Sequence, residues 1–182
     1  MVENRKKYFF CGIGGAGMSP LAHLLAAENH IVVGSDSTEQ KTLDGLRKNN
    51  IQCYVGHNAG NLNDVDVFVY SSAISNENVE LQFAKNNGIK CLHRADILAQ
   101  LVNNKKGITI AGTHGKTTTS ALAAFLLYKG GLDPAAAIGG YLPDFNGYHR
   151  LGAGEWIVAE SDESDGSFKK LKSEIGDRKS VV

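Results

Sequence analysis

The chain has 182 residues, of which 42% are hydrophobic, which is enough for one or two domains with a buried core. Its 19 lysines and arginines balance 19 aspartates and glutamates, so the charge does not indicate a nucleic acid or an anionic membrane as a partner. Three widely spaced cysteines, Cys11, Cys53 and Cys91, form no C-x-x-C pair, which argues against a zinc ribbon or a disulfide framework and is typical of a reducing cytoplasm.

The hydrophobic pattern of the first hundred residues alternates between the periods of strands and helices. Short apolar runs predict strands, and runs with apolar residues three and four positions apart predict helices. In chain order the predicted elements are a strand over 7–12, a helix over 19–29, a strand over 30–36, a helix over 42–50, a strand over 64–73, a helix over 78–88, a strand over 89–92 and a helix over 94–104. This alternation predicts an α/β fold, with a parallel sheet and helices on both faces.

A polar, charged break at 103–107 predicts a domain boundary. We therefore expect residues 1–104 to form one domain and 105–182 to open a second. The elements predicted there are a strand over 108–112, a helix over 118–130, glycine-rich turns and a strand over 155–161. With so few strands the second sheet is expected to be incomplete and to leave Leu122, Phe125 and Leu126 poorly covered.

Two further expectations concern cell location and assembly. Glycines, Ser19, Pro20 and His23 interrupt the first apolar stretch, which argues against a signal peptide, and no apolar run reaches the length of a membrane span. We expect a soluble, cytoplasmic protein with no membrane partner. The sequence does not indicate an oligomeric state.

The stretch GIGGAGMS at 12–19 lies between the first predicted strand and helix. Gly12, Gly14 and Gly17 fit the pattern G-x-G-x-x-G, in which glycines allow a tight turn and a close approach of a diphosphate to the helix N-terminus. Asp36 ends the second predicted strand about 20 residues further on, where a ribose-binding carboxylate belongs. These residues alone favour NAD, and the alternative is a tight turn without a ligand.

The stretch GTHGKTTT at 112–119 is a second phosphate-binding pattern between a predicted strand and helix. Its backbone N–H groups are expected to surround phosphates, Lys116 to reach the β- and γ-phosphates, and Thr117 to bind Mg²⁺. The general pattern has a glycine where this chain has Ile110, so we predict a shorter loop that turns at Gly112. The alternative is a lysine at an ordinary helix start.

The acidic stretch AESDESDGSF at 159–168 follows the last predicted strand. Ligands of open α/β sheets bind at strand ends, and a carboxylate there completes a Mg²⁺ shell. The alternative for any single carboxylate is a solvated turn, and the one nearest the strand, Glu160, is the strongest candidate. The four carboxylates are Glu160, Asp162, Glu163 and Asp165.

Other polar residues follow predicted strands. Ser71 and Ser72 are either turn formers or ligand contacts, and Arg94 either caps a helix or meets a phosphate. His93 precedes Arg94 directly. His114 differs from the other histidines because it lies inside the second phosphate loop.

Together these motifs resemble the Mur ligases of bacterial cell-wall synthesis. The resemblance covers almost the whole chain, to about residue 170. The motifs that carry it are GIGGAGMS (12–19), GSD (34–36), SSAI (71–74), RADIL (94–98), GTHGKTTT (112–119) and AESDESDGSF (159–168).

The resemblance implies a Rossmann-like first domain that binds the UDP part of UDP-N-acetylmuramate rather than NAD. The residues it implies for that site are Gly12, Gly14, Gly15, Ala16, Gly17, Asp36, Ser71, Ser72, His93 and Arg94. It implies a second, P-loop domain that binds ATP through Gly112, Thr113, His114, Gly115, Lys116, Thr117 and Thr118. Thr117 and Glu160 are the implied Mg²⁺ ligands, and Lys116 and His114 the implied catalytic residues.

The implied activity is ligation: ATP activates the muramyl carboxylate as an acyl phosphate, and L-alanine attacks it. In the family the central domain is longer and a third domain follows, so we expect residues 105–182 to be the N-terminal portion of a truncated central domain, inactive alone. The resemblance fades after Leu171, and GDRKSVV (176–182) resembles nothing in the family, which suggests a truncated gene product, an artificially shortened chain or a frameshifted tail. Alternatives are a non-catalytic UDP-sugar-binding module and an NAD-dependent oxidoreductase, for which the second loop has no use.

Overall fold

A computed structural model describes residues 5–145, 147–161 and 170–179. Contacts divide the chain into two compact units, Met1–Arg94 and Ala95–Val182, each with its own five-stranded sheet. The predicted boundary after residue 104 lies one helix beyond the division at Arg94. The domain limits 1–104 and 105–182 stay predictions.

The sheet of the first unit is wholly parallel, with strand order β3-β2-β1-β4-β5. Its strands are β1 (Lys7–Cys11), β2 (Ile31–Asp36), β3 (Gln52–Val55), β4 (Val67–Tyr70) and β5 (Lys90–His93). The direction in which successive strands are added to the sheet reverses at β1. The crevice beyond the carboxyl ends of β1 and β4 is therefore the topological switch point, where ligands bind in doubly wound sheets. The predicted parallel α/β fold is confirmed here.

The central strands are apolar along their whole length because helices cover both faces of a parallel sheet. Phe9, Phe10 and Phe68 are fully buried, and the rings of Phe9 and Phe68 stack with centroids 5.8 Å apart. These side chains fix β1 next to β4, and thereby fix where the segment after β1 leaves the sheet.

Three helices connect these strands: α1 (Ser19–Ala27), α2 (Lys41–Lys48) and α3 (Val79–Asn86). Pro20 lies in the first turn of α1, where the missing N–H is tolerated. The Asn78 side chain caps α3 by accepting hydrogen bonds from the Glu80 and Leu81 N–H groups. Gly88 follows α3 with a φ of +68°, as expected of a glycine that ends a helix.

Helix α4 (Arg94–Asn103) begins directly after β5, and from Ala95 onward it belongs to the second unit. Its apolar residues are buried, and Asp96 forms an ion pair with Lys170 (2.5 Å). Asn103 donates to the Lys170 carbonyl and accepts from the Lys172 N–H group. These contacts hold the segment after residue 169 against α4.

The sheet of the second unit has the order β10-β6-β9-β7-β8. Strand β8 is antiparallel to β7, and the other neighbours are parallel. The elements of this unit after α4 are β6 (Lys106–Gly112), α5 (Lys116–Lys129), β7 (Ala135–Leu142), β8 (Gly147–Arg150), β9 (Trp156–Glu160) and β10 (Ile175–Lys179). A parallel core of β6, β9 and β7 confirms the predicted α/β class and positions α5.

The prediction of glycine-rich turns between α5 and β9 is wrong, because β7 and β8 lie there. Strand β7 begins with three alanines and Ile138, all buried, and alanine and glycine are poor strand formers. Their small side chains fit the buried position beside β9, so packing outweighs intrinsic propensity.

Two further strands were not predicted. Strand β3 is short, and its side chains are exposed or half-buried. Strand β10 lies in the polar segment 172–182, for which no regular element was expected, and pairs in parallel with β6 from Ile175 opposite Ile108. Because β10 is an edge strand, backbone hydrogen bonds to β6 suffice without an alternating apolar pattern.

Helix α5 exposes apolar surface, as predicted. Leu122 is 56% and Leu126 60% exposed, whereas Phe125 is half-buried. Within the described part of the chain, every helix is too short or too polar to cross a membrane.

Candidate functional site

The glycine loop, residues 12–18, joins β1 to α1 at the carboxyl edge of the first sheet. The N–H groups of Gly12 and Ile13 both donate to the Ser35 carbonyl, at 2.8 and 2.9 Å. Gly12 has a φ of +79°, a conformation that side chains disfavour. The loop is therefore tied to the end of β2 by its first two residues.

Gly14 is the point where the loop passes closest to other groups. Its N–H donates to Asp36 Oδ2 at 2.9 Å, and its carbonyl accepts from Thr42 Oγ1 at 3.0 Å. A Cβ on Gly14 would lie 2.2 Å from Gln40 Nε2, so a larger residue would displace that side chain. Asp36, predicted as a ribose ligand, is buried here and also orients the loop.

Gly17 lies against the guanidinium group of Arg94. A Cβ on Gly17 would come within 2.8 Å of Arg94 Nη1. Arg94 is the first residue of α4, so it lies at a helix start, and its contact with a phosphate stays a prediction. Gly15 accepts from the Met18 and Ser19 N–H groups, and Ala16 is exposed.

The strand-end residues Ser71, Ser72 and His93 lie at the same edge because the strands are parallel. Ser72 Oγ and His93 Nε2 are 3.1 Å apart, and the His93 ring meets Tyr70 edge-on. The Ser71 carbonyl accepts from the Ile74 N–H group, so Ser71 takes part in a turn. The structure thus groups Gly17 with Arg94, and Ser72 with His93.

Charge at the glycine loop favours an anion. Helix α1 points its N-terminus at the loop, and none of the described residues in its first turn is acidic. The positive end of the helix dipole and the Arg94 guanidinium therefore act on the same space.

The phosphate loop, residues 112–117, joins β6 to α5 in the second unit. Gly112 and Gly115 have φ values of +129° and +77°. Lys116 Nζ donates to the Gly112 carbonyl at 2.6 Å, so the lysine folds back over the loop. Ile110 lies buried within β6, which explains why the loop turns at Gly112 rather than earlier.

Thr117, Ser120 and Glu160 meet where α5 faces the end of β9. Thr117 Oγ1 donates to Glu160 Oε2 at 3.3 Å, and Ser120 Oγ donates to Glu160 Oε1 at 2.8 Å. A Cβ on Gly139 would lie 2.8 Å from Glu160 Oε2, and one on Gly140 would lie 2.4 Å from Thr117 Cγ2. The two glycines of β7 therefore keep space open beside this group.

The donors of Thr117 and Glu160 suit Mg²⁺. The ion prefers oxygen ligands and retains several waters, so a hydroxyl and a carboxylate beside open space fit it. The other residues predicted for this loop, Thr113, His114 and Thr118, are exposed on or next to it. Of the acidic stretch, Asp162, Glu163 and Asp165 lie outside the described residues.

Sequence reasoning missed several residues of these sites: Gln40, Thr42, Ser120, Gly139 and Gly140. Ser120 had a local signal, since it lies one helical turn after Lys116 on α5 and a buried serine needs a partner. The glycines of β7 had none, because the segment was not predicted to be a strand.

The chain is similar to known proteins over most of its length. A sequence model described as "Mur ligase family, catalytic domain" matches residues 7–106. A crystal structure of UDP-N-acetylmuramate-alanine ligase from Thermotoga maritima superposes with a TM-score of 0.87 at 30% identity, covering 93% of this chain and 40% of the other. A ligase for UDP-N-acetylmuramate and L-alanyl-gamma-D-glutamyl-meso-diaminopimelate from Neisseria meningitides superposes at 0.88 and 25% identity, covering 96% and 61%.

Curated relatives are more similar in sequence. UDP-N-acetylmuramate--L-alanine ligase of Sulfurihydrogenibium sp. (strain YO3AOP1) is 45% identical over 170 residues, which are 93% of this chain and 37% of the relative. The ligase of the same name from Carboxydothermus hydrogenoformans is 48% identical over 163 residues, 89% of this chain and 35% of the relative. The chain thus spans about a third of the length of these relatives. With the family match extending over more than half of its length, the chain belongs to the Mur ligase family.

Proposed function

We propose that the chain is the nucleotide-binding part of an ATP-dependent ligase that joins L-alanine to UDP-N-acetylmuramate. The observation that carries the proposal is the pair of strand–loop–helix sites, each at the carboxyl edge of its own sheet, with Lys116, Thr117 and Glu160 gathered at the second. The relatives' names supply the identity of the two substrates that are joined.

The first unit receives the UDP part of the substrate. The glycine loop and Arg94 offer N–H groups and positive charge to the diphosphate. Asp36 either accepts a hydrogen bond from the ribose or holds the glycine loop in place. Ser71, Ser72 and His93 are the remaining residues proposed to line the UDP site. This assignment replaces NAD, which the glycine pattern alone favours.

The second unit receives ATP on residues 112–118. Lys116 releases the Gly112 carbonyl and turns its ammonium group to the β- and γ-phosphates. Thr117 and Glu160 would hold Mg²⁺, which when bound would neutralise charge on the phosphates. His114, on the same loop, is the second candidate catalytic residue.

The proposed reaction has two steps. The γ-phosphoryl group passes from ATP to the muramyl carboxylate, which gives an acyl phosphate and ADP. The amine of L-alanine then attacks the acyl carbon, the bond from that carbon to the phosphate oxygen breaks, and an amide, inorganic phosphate and a proton result. Lys116 stabilises the charge on the phosphoryl group as it moves. These substrates are intracellular, and we place the protein in the cytoplasm.

Calorimetric titration of the chain tests the proposal through binding. We expect UDP-N-acetylmuramate to bind more tightly than NAD, and magnesium–ATP to bind at a separate site. Lys116→Ala should lower the affinity for ATP and leave the affinity for UDP-N-acetylmuramate unchanged. The control Lys129→Ala, at the other end of α5, should change neither affinity. Tighter binding of NAD, or unchanged ATP binding in Lys116→Ala, would contradict the assignment.

A further inference from the structure

One buried carboxylate of the first unit has no part in the proposed chemistry. Glu80 lies in the first turn of α3, and its side chain is 0% exposed. An ionised carboxylate out of water is strongly destabilised unless it is paired or fully hydrogen-bonded. The contacts of Glu80 therefore need an explanation.

Four donors surround this carboxylate. Oε2 accepts from Ser35 Oγ at 2.5 Å and lies 2.9 Å from His57 Nδ1, while Oε1 accepts from the Asn58 N–H group at 3.0 Å and from Asn61 Nδ2 at 3.1 Å. A carboxylate accepts at about four positions, so its capacity is filled. An ionised carboxylate cannot donate, so this contact requires the Nδ1–H tautomer of His57.

The donors come from separate parts of the first unit. Ser35 lies near the end of β2, His57 and Asn58 follow β3, and Asn61 ends a short 3-10 turn. Glu80 itself begins α3. Because Asn58 caps the turn that Asn61 ends, residues 57–61 are one segment, and the Glu80 side chain fastens three segments: the end of β2, residues 57–61 and the start of α3.

Ser35 connects this network to the glycine loop. Its hydroxyl donates to Glu80, and its carbonyl accepts from both Gly12 and Ile13. Both interactions use one residue, so a shift of the Ser35 backbone after loss of the Glu80 contact would also shift the carbonyl to which the first two N–H groups of the loop donate.

A metal centre is the competing explanation. The donor atoms of Cys11, His57 and Glu80 lie within 4.8 Å of one another, and Cys11 Sγ is 3.7 Å from His57 Nδ1. A metal would need that nitrogen without its proton and the cysteine as thiolate. Burial, together with the nearby Glu80 charge, raises the pKa of the Cys11 thiol, and the carboxylate is already saturated. Hydrogen bonding is the better account.

We propose that Glu80 is a positioning residue for the glycine loop: through Ser35 it sets the place of the Gly12 and Ile13 N–H groups. The ligand consequence rests on the proposed function, in which this loop receives the diphosphate of UDP. In this arrangement Glu80 acts on the loop only through Ser35.

Glu80→Gln is the direct test, because it keeps the shape and replaces one acceptor oxygen with a donor. Amide hydrogen exchange measured by NMR should show that protection of Gly12 and Ile13 falls by about tenfold, and calorimetry with UDP as the probe should show affinity falling by a similar factor. The matched control Glu77→Gln, an exposed carboxylate three residues earlier, should change neither value.

Leu81→Ala separates positioning from general destabilisation. Leu81 is buried on the same helix turn, so its truncation weakens the unit without removing a hydrogen bond to Glu80. If Leu81→Ala lowers loop protection and UDP affinity as much as Glu80→Gln, Glu80 is only structural and the proposal is overturned. Should Glu80→Gln fail to fold, Ser35→Ala, which removes the hydroxyl and keeps the carbonyl, must show the same two losses.

Two other outcomes are decisive. If the unaltered chain fails to bind UDP, the proposed function fails, whereas the exchange rates of Gly12 and Ile13 still decide the positioning role. Stoichiometric Zn²⁺ binding by the unaltered chain, lost in Cys11→Ser, would show a metal centre in place of the hydrogen-bonded anchor and would overturn the proposal.

Discussion

Gly34→Ala tests how tightly β2 packs against the start of the glycine loop. An alanine Cβ there would lie 2.5 Å from the Phe10 carbonyl oxygen and 2.7 and 2.8 Å from two Ile13 side-chain atoms. Since ordinary contact begins at 3.4 Å, these atoms must separate by about 0.6–0.9 Å. The Phe10 oxygen belongs to the backbone of β1 and cannot rotate away, so the strands or the loop must shift.

Overpacking of this kind costs about 1–3 kcal/mol of unfolding free energy. For a unit of the size of Met1–Arg94, each kcal/mol corresponds to about 4–8 °C in Tm. We also expect weaker UDP binding, because Ile13 is one of the two loop residues that donate to Ser35, the neighbour of Gly34.

Gly45→Ala is the matched control and should have the opposite sign. Gly45 lies inside α2, and a Cβ there meets nothing within 4 Å. Alanine should therefore stabilise the helix by about 0.5–1 kcal/mol. Urea unfolding followed by circular dichroism compares the two. Equal midpoints for the two variants would refute the packing argument.

Three further predictions concern the second unit. Thr117→Val, which keeps the shape and removes the hydroxyl, should lower calorimetric affinity for magnesium–ATP by about tenfold and leave binding of ATP in EDTA unchanged; equal losses would exclude Thr117 as a metal ligand. Burial lowers the pKa of His149, so the unfolded chain binds the proton more strongly and the unfolding free energy should fall as pH drops below the ordinary value of 6.5. Urea midpoints at pH 7.5 and about 5.5 should differ less in His149→Gln, and an undiminished difference would assign the effect to other groups. Leu122→Glu combined with Leu126→Lys should reduce self-association measured by light scattering, and unchanged scattering would show that another surface is responsible.

Both loops were predictable because their signals are local. Each glycine pattern lies between a short apolar run and a helical pattern, and that order alone places it at the carboxyl edge of a parallel sheet. Helix and strand positions up to Asn103 follow the sequence closely for the same reason, except for β3. Its apolar residues are few, and its place in the sheet depends on pairing with β2.

The second unit was less predictable because its sheet depends on packing between distant segments. Ala135, Ala136 and Ala137 indicate a helix or a turn by composition, yet they lie buried opposite β9 in parallel register. Small side chains are required there because α5 packs on the same strands. That requirement appears only when α5, β7 and β9 are considered together.

The hydrogen-bonded network of Ser35, His57 and Glu80 was even less predictable from local sequence. Ser35, His57 and Glu80 are separated by more than 20 residues from one another along the chain, and each has a common local interpretation. A serine at a strand end suggests a turn, and a glutamate in the first turn of a helix suggests a favourable interaction with the helix dipole. Only the buried contact among them explains why a charged side chain occupies a position with no access to water. The motif G-x-G-x-x-G therefore identifies the loop that we propose receives phosphate, whereas Ser35, which accepts from the first two N–H groups of that loop, lies outside the motif.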